Sequence, residues 1–264
     1  MCGIAGYSLS SSSSVDRTLA AQSLLAGIAE RGADAVGYAH RGEGAVRIHK
    51  QRSGASELLD RVRVPEDARE ALVHVRDYTK GHPSIEANNH PIRHGAVVGI
   101  HNGIIANDEE LFERHGWQRA RPEMTVDSEA IFALAEAAES RAEALEELYG
   151  AMATAWLDER RPGILYLARG VGRPLWVGRG HRETFFASTK VALETVERYA
   201  GVRLQVRELD EGTLLALSDG RVAWSERFRP DASYVEEDVL PAVRAPHEGQ
   251  SCLQRLAALA AATV

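Results

Sequence analysis

At 264 residues, 44% of them hydrophobic and 26% charged, the chain is long enough to bury a sizeable core as one large domain or two small ones. Acidic residues outnumber basic ones, 38 to 31, and the formal net charge of -7 comes with no Lys/Arg block, which argues against a nucleic-acid partner. The two cysteines, Cys2 and Cys252, leave no disulfide framework and no four-cysteine zinc site, so a reducing, cytoplasmic setting is expected. No apolar run approaches the roughly 20 residues that cross a bilayer, and no charged n-region with an h-region precedes a cleavage site, so neither a membrane partner nor export is expected.

In chain order, Gly3 to Leu9 predicts a buried strand, and the serine run Ser10 to Ser14 predicts a loop. Asp16 is placed to cap a helix whose apolar residues Leu19, Leu24, Leu25 and Ile28 recur at helical spacing, ending near Arg31-Gly32. Short strands are expected at Gly37 to Ala39 and Ala45 to His49, then a charged helix from Ser56 to Ala71 and a strand from Leu72 to Arg76. Val97 to His101 predicts a strand that stops in a tight turn at Asn102-Gly103, with a helix beginning near Asp108. Ser128 to Met152, rich in Ala, Glu and Leu, has helical periodicity, whereas Ile164 to Ala168, Leu175 to Gly178, Phe185 to Ala187, Leu204 to Glu208 and Thr213 to Ser218 suit strands. The pattern weakens after Pro230: residues 2–230 are expected to form one domain, and 231–264 a tail ending in a helix, Ser251 to Ala262, with Leu253, Leu256 and Leu259 near one face.

The residue with the sharpest chemical signal is Cys2. Were Met1 removed, Cys2 would carry a thiol and a free α-amine on one residue, and an amine titrating near pH 7.7–8.0 is basic enough to take the thiol proton. Taken alone, a cysteine near a start codon more often packs as a small hydrophobe. Hydrolysing an amide through a thioester also needs oxyanion donors and groups that place the substrate. Asn102 and the Gly103 N–H could supply the donors, although Asn-Gly alone is commonly just a turn. Arg76, at a strand end, could grip a carboxylate with two parallel hydrogen bonds or sit in a surface ion pair. Asp127 could cap a helix or face a substrate ammonium. His74, His82, His90, His94 and His101 form no helical i, i+4 pair and no pair with a cysteine, so no metal is expected.

Met-Cys-Gly-Ile at the start, Arg31 to Gly37, His74-Val75-Arg76 with Thr79 and Gly81, Asn89-His90-Pro91, His101 to Ile105 and Asp127-Ser128-Glu129 together resemble the blocks of class II glutamine amidotransferases, the N-terminal nucleophile family. The set is most similar to the glutaminase domain of glucosamine-6-phosphate synthases. Leu167-Ala168-Arg169, Arg173-Pro174-Leu175, Phe186-Ala187-Ser188 and Leu209 to Leu217 extend the resemblance to roughly residue 220. It implies an α+β, four-layer αββα sandwich of two antiparallel sheets with the nucleophile at the start of a central strand. It also implies roles: Cys2 as nucleophile, Asn102 and Gly103 as the oxyanion hole, Arg76 and Asp127 for the glutamine α-carboxylate and α-amine, and Thr79 in the same substrate loop. Arg31 and Gly32 would support the nucleophile, and His90 would lie near the glutamine pocket. No cofactor is implied.

Asp77 stands where glucosamine synthase-like sequences carry an aromatic residue, and Lys80 replaces a common histidine, which bears on how the substrate loop closes. An acceptor-binding domain and a phosphate-binding P-loop are both missing from the pattern. The expected function is therefore a glutaminase subunit that takes L-glutamine and supplies ammonia to a separate synthase, docked through the terminal helix or otherwise; a homo-oligomer is compatible with the sequence. A stand-alone amidohydrolase for another γ-glutamyl amide and a non-catalytic glutamine-binding subunit are the alternatives.

Overall fold

The computed structural model describes residues 2–236 and 241–262. Met1, whose removal the sequence argument invokes, lies outside them, as do residues 237–240 and 263–264 of the expected tail. Thirteen strands occur among the described residues: β1 Gly3–Leu9, β2 Ala35–Arg41, β3 Val46–Gln51, β4 Glu70–Arg76, β5 Ile92–His94, β6 Val97–Ile105, β7 Gly150–Asp158, β8 Ile164–Arg169, β9 Trp176–Arg179, β10 Glu183–Ala187, β11 Gln205–Glu208, β12 Thr213–Ser218 and β13 Arg221–Arg227. They form two antiparallel sheets, ordered β11-β9-β10-β1-β4-β2-β3 and β13-β12-β8-β7-β6-β5. The helices are α1 Arg17–Ile28, α2 Ala55–Leu58, α3 Asp108–His115, α4 Glu129–Ala137, α5 Lys190–Ala200 and α6 Pro246–Ala262. Helices α1, α5 and α6 cover the first sheet, and α3 and α4 cover the second, giving the expected four-layer arrangement.

Strand periodicity explains the layers. Ala5, Tyr7 and Leu9 of β1, with Ala71, Val73 and Val75 of β4, join the helix-side core, whereas Ile4 and Leu72 join the core between the sheets. In β6, Val97 and Ile105 pack toward α4, and Val98 and Ile100 face the other sheet. Alternation therefore puts Cys2, His74, Arg76 and Asn102 on the inter-sheet side, at the end where β6 crosses β1 and β4.

Strands β1 and β12 have the expected bounds, and Asp16 caps α1, accepting from the Leu19 N–H at 2.8 Å. Other elements differ from expectation. The charged stretch 56–71 holds only α2 and a short turn at Leu59–Arg61 before β4 begins at Glu70. Asn102-Gly103 is no tight turn: β6 runs through it, with Asn102 opposite Ala153 and Gly103 opposite Met152. The predicted helix 128–152 is broken: α4 ends before Glu139 and Ser140, at φ 51° and 60°, a short 3-10 helix follows at Ala142–Glu147, and Gly150 already belongs to β7. Helix α5 and strands β5, β7 and β13 had no counterpart in the expected elements. Helix α6 starts earlier than expected, and it buries Gly249, Cys252 and Leu256 while Leu253 is exposed.

Candidate active site

Cys2 immediately precedes β1, in the middle of the first sheet. Its carbonyl accepts from Arg31 Nε at 2.8 Å, and its thiol approaches the Asp77 carbonyl oxygen at 3.5 Å. Ser188 fastens the start of the strand: its N–H donates to Ile4 O at 2.8 Å, and its Oγ accepts from Ile4 N at 3.2 Å. Burial pushes the Cys2 thiol above its ordinary range, against the opposing influence of the Asp77 backbone contact and the Arg76 charge. A thiol so held is protonated at neutral pH and needs a base before it can attack.

Gly32 belongs to this support because of close approach. A Cβ there would collide with the Arg76 carbonyl, beside which the Asp34 N–H donates to Arg76 O at 3.0 Å. The strand end bearing Arg76 thus packs directly on the segment bearing Arg31.

Asn102 is fully buried, and neither its amide nitrogen nor its amide oxygen has a hydrogen-bond partner. Buried polar groups are nearly always paired, so an orphaned side-chain amide calls for an explanation. Gly103 follows at φ 151°, where a Cβ would meet the Ala151 carbonyl oxygen and the His101 ring. His101 Nδ1 is 2.8 Å from Ser128 Oγ and its Nε2 is 3.3 Å from Ala151 O. A carbonyl cannot donate, so Nε2 carries the proton and Nδ1 accepts from the serine hydroxyl. By the same logic His74 Nε2 donates to His101 O, at 3.1 Å. Burial holds both rings at about 3, and His90, stacked on His74 at 4.2 Å, also lies well below its ordinary value. Of these neutral imidazoles His74 links one sheet to the other, and all three are poor proton carriers near neutrality.

Arg76 is nearly fully buried, and its terminal nitrogens hold the loop that follows β4. Nη1 donates to Asn88 O and, at 2.7 Å, to Asn89 Oδ1; Nη2 donates to Lys80 O at 2.9 Å and to Gly81 O. Lys80 ties the same loop to α3 through Asp108 at 2.7 Å and Glu109 at 3.1 Å. Asp127 does not cap a helix with its side chain: one carboxylate oxygen accepts from the Ile105 N–H at 2.7 Å. Burial raises its pKa to about 6, only partly offset by that bond and by Lys80.

A small cavity of about 10 Å³, room for roughly one water, is lined by Cys2, Asp77, Thr79, Asn102, Gly103, Ile104, Arg173 and Glu236. Of the residues singled out by sequence, Cys2, Thr79, Asn102 and Gly103 meet there. Arg31, Gly32, Arg76, Asp127 and His90 stand behind or beside it. A larger groove of about 1170 Å³ along Tyr38, Lys50, Arg93 and Arg121 contains none of them. We place the candidate site at the smaller cavity because the thiol and the orphaned amide share it. Sequence reasoning missed Arg173 and Glu236 as wall residues. Arg173 stood within a noticed block, but Glu236 reaches it across 63 positions with no local spacing to betray the pair. Among the described residues no group of three or more His, Cys, Asp or Glu side chains is placed to hold a metal ion.

A glutamine amidotransferase domain family matches residues 79–195. The glutamine–fructose-6-phosphate aminotransferase (isomerizing) of Vibrio parahaemolyticus is 34% identical over 214 residues, covering 75% of this chain and 33% of that protein. That of Vibrio vulnificus is 33% identical over 239 residues, covering 84% and 36%. The chain thus spans about a third of the length of these curated relatives. Among solved structures, the glutamine phosphoribosylpyrophosphate amidotransferase from B. subtilis superposes with a TM-score of 0.65 at 21% identity, over 86% of this chain and 49% of that one. A second, described as the allosteric regulatory enzyme of purine biosynthesis, gives a TM-score of 0.69 over the same shares. Those two likenesses establish the fold. With the sequence relatives and a cysteine-led strand facing an orphaned asparagine, they identify the chain as a member of the class II glutamine amidotransferases.

Proposed function

We propose that this chain hydrolyses the side-chain amide of L-glutamine through a Cys2 thioester and releases ammonia to a separate synthase. The observation that carries the reading is the buried Asn102 amide, unpartnered on the wall of the cavity that holds the Cys2 thiol. Once Met1 is removed, the Cys2 α-amine takes the thiol proton, and sulfur attacks the amide carbon. The carbonyl π pair moves to oxygen, where Asn102 Nδ2 and the Gly103 N–H receive it. Collapse of this intermediate breaks the C–N bond, and the proton held by the amine leaves with nitrogen as ammonia. Water then adds to the γ-glutamyl thioester, and expulsion of the thiol gives glutamate.

Arg76 and Asp127 serve the α-carboxylate and α-ammonium, and Thr79 lies in the same loop. For Arg76 this requires the substrate to replace loop carbonyls that now occupy its guanidinium. Arg31 and Gly32 keep the nucleophile's strand in place, and His90 backs His74 between the sheets. We assign residues 2–230 to the catalytic domain and 231–264 to the tail. The proposed ammonia acceptor is a separate synthase; the relatives matched over a third of their length are named for an aminotransferase activity on fructose 6-phosphate. A γ-glutamyl amide other than glutamine is the second reading, favoured by Asp77 on the cavity wall where the resembled domains carry an aromatic residue.

Intact mass and glutamate release, measured on one purified sample beside Cys2→Ala, test the proposal. Expected are loss of Met1 and glutamate formation that disappears in the variant. Cys252, the other thiol, is buried and pushed up to about 12, so it offers no substitute nucleophile. Glutamate release that survives Cys2→Ala overturns the mechanism; Cys2-dependent hydrolysis of other γ-glutamyl amides but not glutamine selects the second reading.

A further inference from the structure

Beyond β13 the chain meets the cavity again at Glu236. Tyr234 meets Tyr149 edge-on at 5.3 Å, and Glu236 becomes part of the cavity wall. There Glu236 Oε1 accepts from Arg173 Nη2 at 2.5 Å, with the two side chains only 17% and 6% exposed. Farther along, Arg244 Nε lies 3.3 Å from the Asp77 carboxylate, and the Arg244 and Ala245 N–H groups both donate to Glu30 O at 2.9 Å. The described stretches that end at Glu236 and begin near Arg244 are thus both tied to the fold.

Arg173 does not use its full donor set in this arrangement. Nη1 donates to Gly172 O at 2.9 Å, Nη2 serves Glu236, and Nε is buried without an acceptor. It is the one cationic side chain lining the cavity among the described residues. A guanidinium with an unfilled donor beside a nucleophile is built to take a carboxylate through two parallel bonds. The carboxylate it now holds is a glutamate side chain, the same chemical group that the proposed product carries.

We infer that Arg173 takes the γ-carboxylate of the product glutamate, and that Glu236 is an intramolecular competitor that fills its place until that carboxylate displaces it. The inference rests on the reading of the cavity as a site for glutamine or a related γ-glutamyl amino acid. Competition of this kind weakens apparent affinity by the fraction of molecules left open, so a site closed nine-tenths of the time binds about tenfold more weakly than an open one. It also explains why the cavity has room for little more than a water.

The test is equilibrium binding of L-glutamate and L-glutamine to the full-length chain in a Cys2→Ala background, where no turnover intervenes. Glu236→Ala should tighten L-glutamate binding about tenfold. Glu236→Gln, which preserves shape and keeps a hydrogen-bond acceptor for Arg173, should tighten it less. Adding Arg173→Gln should abolish the gain, a coupling that independent structural damage would not produce. Measurable binding that neither Glu236 variant changes overturns the inference and leaves the proposed function standing. Absence of binding by the background and both Glu236 variants, each still folded by circular dichroism, overturns both.

Discussion

Asp127 shows what a single buried carboxyl does to pH behaviour. Its pKa of about 6 lies above the ordinary carboxylate range, so between roughly pH 4 and 6 the folded chain keeps a proton that the unfolded chain has lost. Stability from this group is therefore highest below pH 4, falls as pH rises through that window and levels off above 6. Binding a substrate ammonium needs the opposite form, the ionised carboxylate. In the proposed mechanism the Cys2 α-amine, freed by loss of Met1, acts unprotonated, so kcat/KM should already fall below about pH 7.7. Below about pH 6 the fall should steepen from first to second order in proton concentration. Asp127→Asn should lower kcat/KM throughout and keep only the first-order limb; a pH profile from 5 to 8 checks this, and an unchanged second-order limb removes Asp127 from substrate binding. At this scale the sequence was informative where a residue type has few other reasons to be present. Cys2, Asn102, Gly103 and Thr79 do share a cavity. Arg76 is legible as a strand-end arginine, but neither its burial nor its part as organiser of its own loop is, because carbonyl acceptors leave no mark in the side-chain sequence.

At the scale of the element, the instructive case is Asn102-Gly103. The dipeptide reads as a turn because both residues tolerate positive φ, yet Ile104 and Ile105 continue the strand, and β7 supplies its partner. That partner, Gly-Ala-Met-Ala-Thr-Ala-Trp-Leu-Asp, is dominated by good helix formers, so propensity points the wrong way and burial between two layers decides. The expected helix 128–152 reaches only the start of β7 and the rest of that strand matches no expected element, so nothing opposes the Asn-Gly turn signal. The glycine is still indispensable, for another reason: at φ 151° on the cavity wall it lets the Ala151 carbonyl approach. Gly103→Ala should cost about 3 kcal/mol or more from backbone strain and overpacking. Urea denaturation would measure the cost, and glutamate release should fall further than the loss of folded protein accounts for. Stability within about 0.5 kcal/mol of the parent would show that β6 does not need glycine here.

For the whole molecule the question is whether the terminal segment is an appendage or part of the fold. The weakening pattern after Pro230 suggests a tail, and a short Ala/Leu helix more often packs on its own domain than docks on a partner. Helix α6 packs against α1 and beside α2, burying Cys252 and Leu256 completely in the core of the helix layer. Glu248 at its start accepts from Ser56 N at 2.8 Å and Ser56 Oγ at 3.1 Å, and Arg255 reaches Asp60 at 2.8 Å. The exposed ion pair adds little, so the buried apolar stripe carries the attachment. Leu256→Ala should therefore cost about 2–5 kcal/mol, the range for emptying a fully buried leucine site. Because Trp176 packs against the same core cluster, its fluorescence should report the loss together with far-UV circular dichroism in one coincident transition. If α6 were an independent appendage, the variant would lose a little helical signal early and leave the tryptophan transition where it was. The same segment leads from the cavity wall at Glu236 to this helix, so its anchorage bears on catalysis as well as stability: loosening α6 should weaken the hold of Glu236 on Arg173, and Leu256→Ala should bind L-glutamate more tightly than its parent under conditions where both remain folded.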